Sequence, residues 1–169
     1  MYKAIDIAKW FIMKANDNGV KITKMKVLKL CYIAQGFHLS VFQEALFSDS
    51  IQAWKYGPVI NMLYEQLSHY KKNPIKQNDP VIINAKGILE SDNDTIEVLE
   101  SVWNTFKDHS AFTLSDWSHR QGAAWDKAYN VENGKNILAY EISHDLIMEE
   151  FDDIIISPKR SREKRPGIQ

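Results

Sequence analysis

The stretch from Thr23 to about Val41 carries apolar residues on two sides of one helix, and that constrains the fold more than any other part of the chain. Val27, Cys31, Ala34, His38 and Val41 recur at helical spacing, and Met25, Leu28, Tyr32 and Leu39 form a second set. A helix with one apolar stripe can lie on a surface; a helix with two needs neighbours on both sides. The stretch is therefore expected at the centre of a mainly α, compact single-domain helical bundle. Thr23 stands where an N-cap is wanted, with Ile22 before it and Val27 at the fourth helical position as a hydrophobic staple. The chain then bends from Gln43 to Gly57 and delivers Phe47, Ile51 and the run Ala53-Trp54-Lys55-Tyr56-Gly57-Pro58-Val59. Gly57 tolerates backbone angles that other residues resist, and Pro58 suits the first position of a helix. A second helix is expected from Pro58 to Tyr70, with Val59, Met62, Leu63 and Leu67 inward.

The flanking sequence supports more helices. Ala4, Ile7, Ala8, Phe11, Ile12 and Ala15 make one stripe over residues 3–17, which Asn18-Gly19 stops. The short link to Thr23 admits a helix-turn-helix or a plain antiparallel helical pair. Residues 71–80 form a polar loop, and Val81-Ile82-Ile83 reads as one short β segment or simply as a covered segment. Asp94-Thr95-Ile96-Glu97 has the pattern of a helix start, and Ile96, Leu99, Val102, Trp103 and Phe106 continue it. Thr113 and Asp116 repeat the capping pattern ahead of a short helix ending near Gln121-Gly122, and Trp125 to Tyr129 forms another turn. The last helix starts at Ser143, with Ile142 and Ile147 as its staple, buries Leu146, Phe151 and Ile154, and ends at Pro158. One helical domain is expected over residues 1–156, followed by a basic, disordered tail over 157–169.

Length and composition exclude several classes. A chain of 169 residues with 44% hydrophobic and 25% charged content can bury a core of its own. No apolar run approaches the roughly 18 to 20 residues a membrane helix needs, and no signal peptide is evident. One cysteine makes no internal disulfide, so a cytoplasmic protein is expected. The net charge of −1 is uneven: the segment after residue 156 carries +4, which leaves −5 for residues 1–156. The body therefore offers no global basic field to nucleic acid, although Lys24, Lys26 and Lys29 cluster early on the central helix.

No catalytic set emerges from the residues. His38, His69, His109, His119 and His144 lack the spacing of a zinc helix motif, so no metal is expected. Cys31 lies on an apolar face, where a thiol behaves as a small hydrophobe. Asp116 and His119 could share a proton, but a capping role already explains Asp116. The acidic run Glu149-Glu150-Phe151-Asp152-Asp153 fits a solvated helix face. Trp10, Trp103 and Trp117 fit apolar faces. Trp54 is either an exposed binding anchor or a buried plug for the corner.

Three blocks of sequence resemble a known family. Lys29-Leu30-Cys31-Tyr32-Ile33-Ala34-Gln35-Gly36-Phe37-His38-Leu39 is similar to the "K-L-x-Y-x-A-Q-G-W-H-L" segment of the SocA-like family, whose domain is also called Panacea and whose older description is phage-associated, GepA-type. Leu46-Phe47, Ile51 and Ala53 to Val59 look like its second block, and Leu114-Ser115-Asp116-Trp117-Ser118-His119 with Trp125 look like its third. Phe37 stands for the family's tryptophan, Ser118 for threonine, and Gly122-Ala123-Ala124 departs from the usual residues before Trp125. The resemblance implies a non-enzymatic antitoxin without cofactor. It would bind a toxin encoded nearby and, as a protease adaptor, could also engage a protease or chaperone. On these blocks the expected partner-binding residues are His38, Trp54, Tyr56, Gly57, Pro58, His119 and Trp125. The alternative is a DNA-binding transcriptional regulator that uses the N-terminal helical pair.

Overall fold

The computed structural model describes residues 1–160. Helix α1 (Ala4–Asp17) leads into α2 (Lys24–Phe42), a short hairpin of β1 (Ile51–Trp54) and β2 (Gly57–Ile60), and α3 (Asn61–Gln66). Then come α4 (Pro80–Asn84), α5 (Asn93–Phe106), α6 (Ala111–Ser118), α7 (Ala124–Asp126) and α8 (His144–Arg160). Among the described residues no helix is long and apolar enough to cross a membrane.

Helix α2 is central, as its sequence predicts. It packs against α1, α5, α6, α8 and β2. Its burial exceeds two faces: every residue from Lys26 to Gly36 is buried, whereas Met25 and Val41, each placed on an inward face, are exposed at the two ends. Ile22 and Val27 are both fully buried around the helix start, although the Thr23 side chain makes no cap hydrogen bond. Gly36 and Gln35 explain how so much of one helix is covered. A Cβ on Gly36 would lie 2.2 Å from the Phe151 ring, so the missing side chain lets α8 close on α2. Gln35 ties down the chain beyond the helix: its Oε1 accepts from the Leu46 and Phe47 N–H groups at 2.9 and 3.1 Å.

The largest correction concerns the corner. Residues 51–60 form an antiparallel hairpin whose turn is Lys55-Tyr56, with Trp54 paired to Gly57 and Ala53 to Pro58. Pro58 therefore does not open a helix. In an antiparallel pair, alternate residues point N–H and C=O away from the partner strand, and a proline at such a place loses no ladder bond. Ala53 shows that geometry, donating outward to the Tyr140 carbonyl at 2.8 Å. Helix α3 starts only at Asn61, with Leu63 and Leu67 buried and Met62 exposed, contrary to expectation.

Smaller corrections follow from capping. Val81-Ile82-Ile83 is helical: Asp79 caps α4 by accepting from Val81 N, and Pro80 takes the first helical position. Asp92, not Asp94, caps α5, and Ser110 caps α6, which leaves Asp116 inside that helix. Trp103 is core, while Trp10 and Trp117 are half-buried. Helix α8 runs past Pro158, and most of the expected tail lies outside the described residues.

Candidate functional site

The hairpin turn, the start of α2, α3 and the start of α6 enclose a groove of about 690 Å³. Leu28, Pro58 and Val59 give it an apolar floor, and Trp54, Tyr56 and Tyr64 form its walls. Trp54 is neither fully exposed nor core. Its ring packs on Tyr64 at 5.1 Å between centroids, and its Nε1 donates to Gln52 Oε1 at 2.9 Å. Tyr56, at the tip of the turn, is 74% exposed.

The turn is braced from behind. Trp125, only 6% exposed, donates from its Nε1 to the Trp54 carbonyl at 2.7 Å and stacks on Tyr129. His119 lies edge-on to Trp125 with 5.5 Å between centroids, and its Nδ1 meets the Ser115 carbonyl. Gly57 holds φ +112°, an angle that side chains resist; a Cβ there would stand 2.9 Å from Lys29 Nζ and 3.6 Å from His119 Cβ. Trp54, Tyr56, Gly57, Pro58, His119 and Trp125 thus gather at one place. Trp54, Tyr56 and Pro58 line the groove, while Gly57, His119 and Trp125 shape the turn beside it.

His38 does not join them. It lies nine residues along α2 from Lys29, about 13 Å away by helical rise. Its Nδ1 is 2.7 Å from the Glu44 carbonyl and its ring packs on Phe42. The cavity it lines, with Tyr2 and Asp92, is separate and holds about 290 Å³.

Lys29 is the site residue that periodicity alone does not single out. It is 4% exposed, lines the groove, and its Nζ donates to the Pro58 carbonyl at 3.0 Å. Burial pulls its ammonium down to about 8. Lys26 is also turned inward, donating to the Lys107 carbonyl, and burial lowers its pKa as well. Two of the three lysines that suggested a recognition helix are therefore spent on backbone carbonyls, and α2 presents no open face to a DNA groove. The groove has a lysine fringe instead: Lys24, Lys55, Lys71 and Lys72 join Lys29, and among the described residues no carboxylate lines it.

The groups considered for catalysis have structural settings. Burial pushes the Cys31 thiol well above its usual range. Asp116 and His119 stand 3.9 Å apart at a partly exposed helix end. The acidic run on α8 is not wholly solvated, because Glu150 is buried. It accepts from Arg120 at 2.7 Å, from the Tyr32 hydroxyl at 2.7 Å and from Ala124 N at 3.0 Å. That cluster joins α2, α8 and the segment ahead of Trp125, so it fixes the back of the hairpin. Its parts lie far apart in sequence, which hides it from any local pattern.

Comparison with known proteins places the chain. Residues 27–126 match the family model described as Antitoxin SocA-like, Panacea domain, and these include nearly every element around the groove. The chain is also 29% identical, over 152 residues, to Antitoxin SocA of Caulobacter vibrioides (strain NA1000 / CB15N), across 86% of this chain and 80% of that protein. No solved structure matches it. The family model spans more than half of the sequence, and the chain belongs to the SocA-like, Panacea-domain family.

Proposed function

We propose that this protein is a cytoplasmic antitoxin that neutralises a toxin encoded nearby by direct protein contact, covering the surface the toxin works with. Family membership supports the antitoxin role. The observation that carries the contact mechanism is the hairpin face. A half-buried Trp54 and an exposed Tyr56 stand over an apolar groove, on a turn held from behind by hydrogen bonds from Trp125 to the Trp54 carbonyl and from buried Lys29 to the Pro58 carbonyl. Rigid aromatic anchors beside an apolar pocket are where binding energy concentrates. A bundle that commits α2 to the core leaves this turn as its pre-shaped contact element.

Co-expression with the product of the adjacent gene tests the proposal. That product alone should arrest growth; this protein should restore it, and the two should elute together in gel filtration. Restoration in a host lacking its energy-dependent proteases separates occlusion from an adaptor role. Occlusion survives there, whereas delivery to a protease does not. Restoration with no detectable complex, together with lowered transcript of the adjacent gene, would overturn contact and favour a DNA-binding regulator.

A further inference from the structure

The lysine fringe says what kind of segment the groove accepts. Lys24, Lys29, Lys55, Lys71 and Lys72 meet at one apolar cleft, and none is ion-paired among the described residues. Residues 1–156 carry −5 overall, so this concentration of positive charge is local and runs against the body's charge. Five ammonium groups around one cleft repel each other, and carboxylates arriving between them relieve that repulsion.

We infer that the groove is the docking site for an acidic peptide segment of the toxin. An apolar side chain of that segment seats on Leu28 and Trp54, and its carboxylates meet the lysine rim. For the owner of the segment, the inference rests on the antitoxin reading above. Three observations select this occupant. The floor of Leu28, Pro58 and Val59 is apolar, which suits a side chain and not a sugar–phosphate backbone. Two of the three aromatic walls are already engaged and are not free stacking platforms for bases: Trp54 leans on Tyr64, and Lys24 Nζ lies 3.8 Å above the Tyr64 ring centroid. The chain's own C-terminal segment carries +4 and is repelled by the same lysines. Lys29 gives the groove a charged point deep in its wall. Held in apolar surroundings with one carbonyl as acceptor, it gains from any carboxylate that reaches it.

The test uses the full chain and three fluorescein-labelled probes: the peptide Asp-Glu-Leu-Glu-Asp-Phe-Glu, the same peptide with Ser in place of Leu and Phe, and a short oligothymidylate. Fluorescence anisotropy should show the first peptide binding about tenfold or more tightly than the Ser peptide, since buried apolar side chains carry that difference. Lys55→Glu/Lys72→Glu, at exposed rim positions, should weaken the first peptide by about tenfold or more while leaving the melting temperature unchanged. Equal binding of the two peptides would overturn the docking site in favour of a diffuse basic surface. Tighter binding of the oligothymidylate would overturn it in favour of nucleic acid. A self-association seen by sedimentation and abolished by the double variant would make a second copy the occupant. The growth assay separates the two claims. If the wild type restores growth and the double variant does so equally well, the groove is wrong and the antitoxin reading stands. If the wild type fails to restore growth, the antitoxin reading falls and with it the toxin as owner of the segment.

Discussion

Substituting Gly57 by Ala should destabilise the hairpin turn and the fold with it. Two separate penalties act at this position. The backbone sits at φ +112°, a region almost closed to side chains, and holding a non-glycine residue in such a place costs about 1 to 3 kcal/mol. The added Cβ would also lie 2.9 Å from Lys29 Nζ, so the ammonium must shift away from the Pro58 carbonyl that it bonds at 3.0 Å. A hydrogen bond from a charged donor contributes about 1.5 to 3 kcal/mol, and a flexible lysine retains part of it. The expected total is roughly 2 to 4 kcal/mol. For a chain of this size each kcal/mol lowers the melting temperature by about 2 to 4 °C, so Gly57→Ala should melt about 5 to 15 °C below wild type. Urea unfolding with an unchanged slope would confirm that the native state carries the loss. Lys29→Ala separates the penalties. In that background the clash is gone, and Gly57→Ala should cost only the backbone part, about 1 to 3 kcal/mol. A melting temperature within error of wild type, or a cost unchanged by Lys29→Ala, would refute this account of the turn.

Other predictions test the surroundings of the turn. Gly36→Ala places a carbon 2.2 Å from the Phe151 ring and should destabilise by at least about 2 kcal/mol in denaturant melts, because α8 must move off α2. Glu150→Gln weakens the acceptor shared by Arg120, Tyr32 and Ala124 N and should cost about 2 to 4 kcal/mol in the same assay. Lys29 predicts a pH dependence. Its folded pKa of about 8 lies below its unfolded value of about 10.4, so between these limits the unfolded chain binds more protons. Stability should therefore rise from pH 8 towards pH 10, by about 1 to 3 kcal/mol from Lys29, and Lys29→Met should remove that share and leave only the part that buried Lys26 contributes. Above pH 10 the buried Tyr32 hydroxyl, whose pKa is raised by burial and by Glu150, stays protonated in the fold and reverses the trend.

How far the sequence discloses this molecule depends on the range of the interactions. The central helix is legible because its apolar positions, its staple and its boundaries all lie within one stretch. The hairpin is not, because its strands have four residues each and its Lys55-Tyr56 turn lacks the glycine-rich pairs that mark tight hairpins. The dipeptide Gly57-Pro58 then gives a false signal. The same two residues that can open a helix here supply a positive φ and an outward-facing strand position. Residues 79–84 misled in the opposite sense, since Val81-Ile82-Ile83 suggests a strand while Asp79-Pro80 already encodes a capped helix start. For the site, family-like blocks brought six of the seven expected residues together, and His38 fell outside because it faces another side of α2. The groove's lysines come from three separate segments, and Glu150 looks solvated until Arg120 and Tyr32 are folded onto it. Such features exist only in the tertiary structure.

The measurement that bears most directly on contact-based neutralisation is a matched pair of assays on Trp54→Ala/Tyr56→Ala. Tyr56 is exposed and Trp54 half-buried, so the variant should keep its helical circular-dichroism signal and unfold cooperatively. Each aromatic anchor at an interface is worth about 2 kcal/mol or more, so the affinity for the adjacent gene product should fall by a factor of several hundred or more. The account predicts that a folded variant no longer co-elutes with that product and no longer restores growth. A folded variant that restores growth and co-elutes as the wild type does would contradict it.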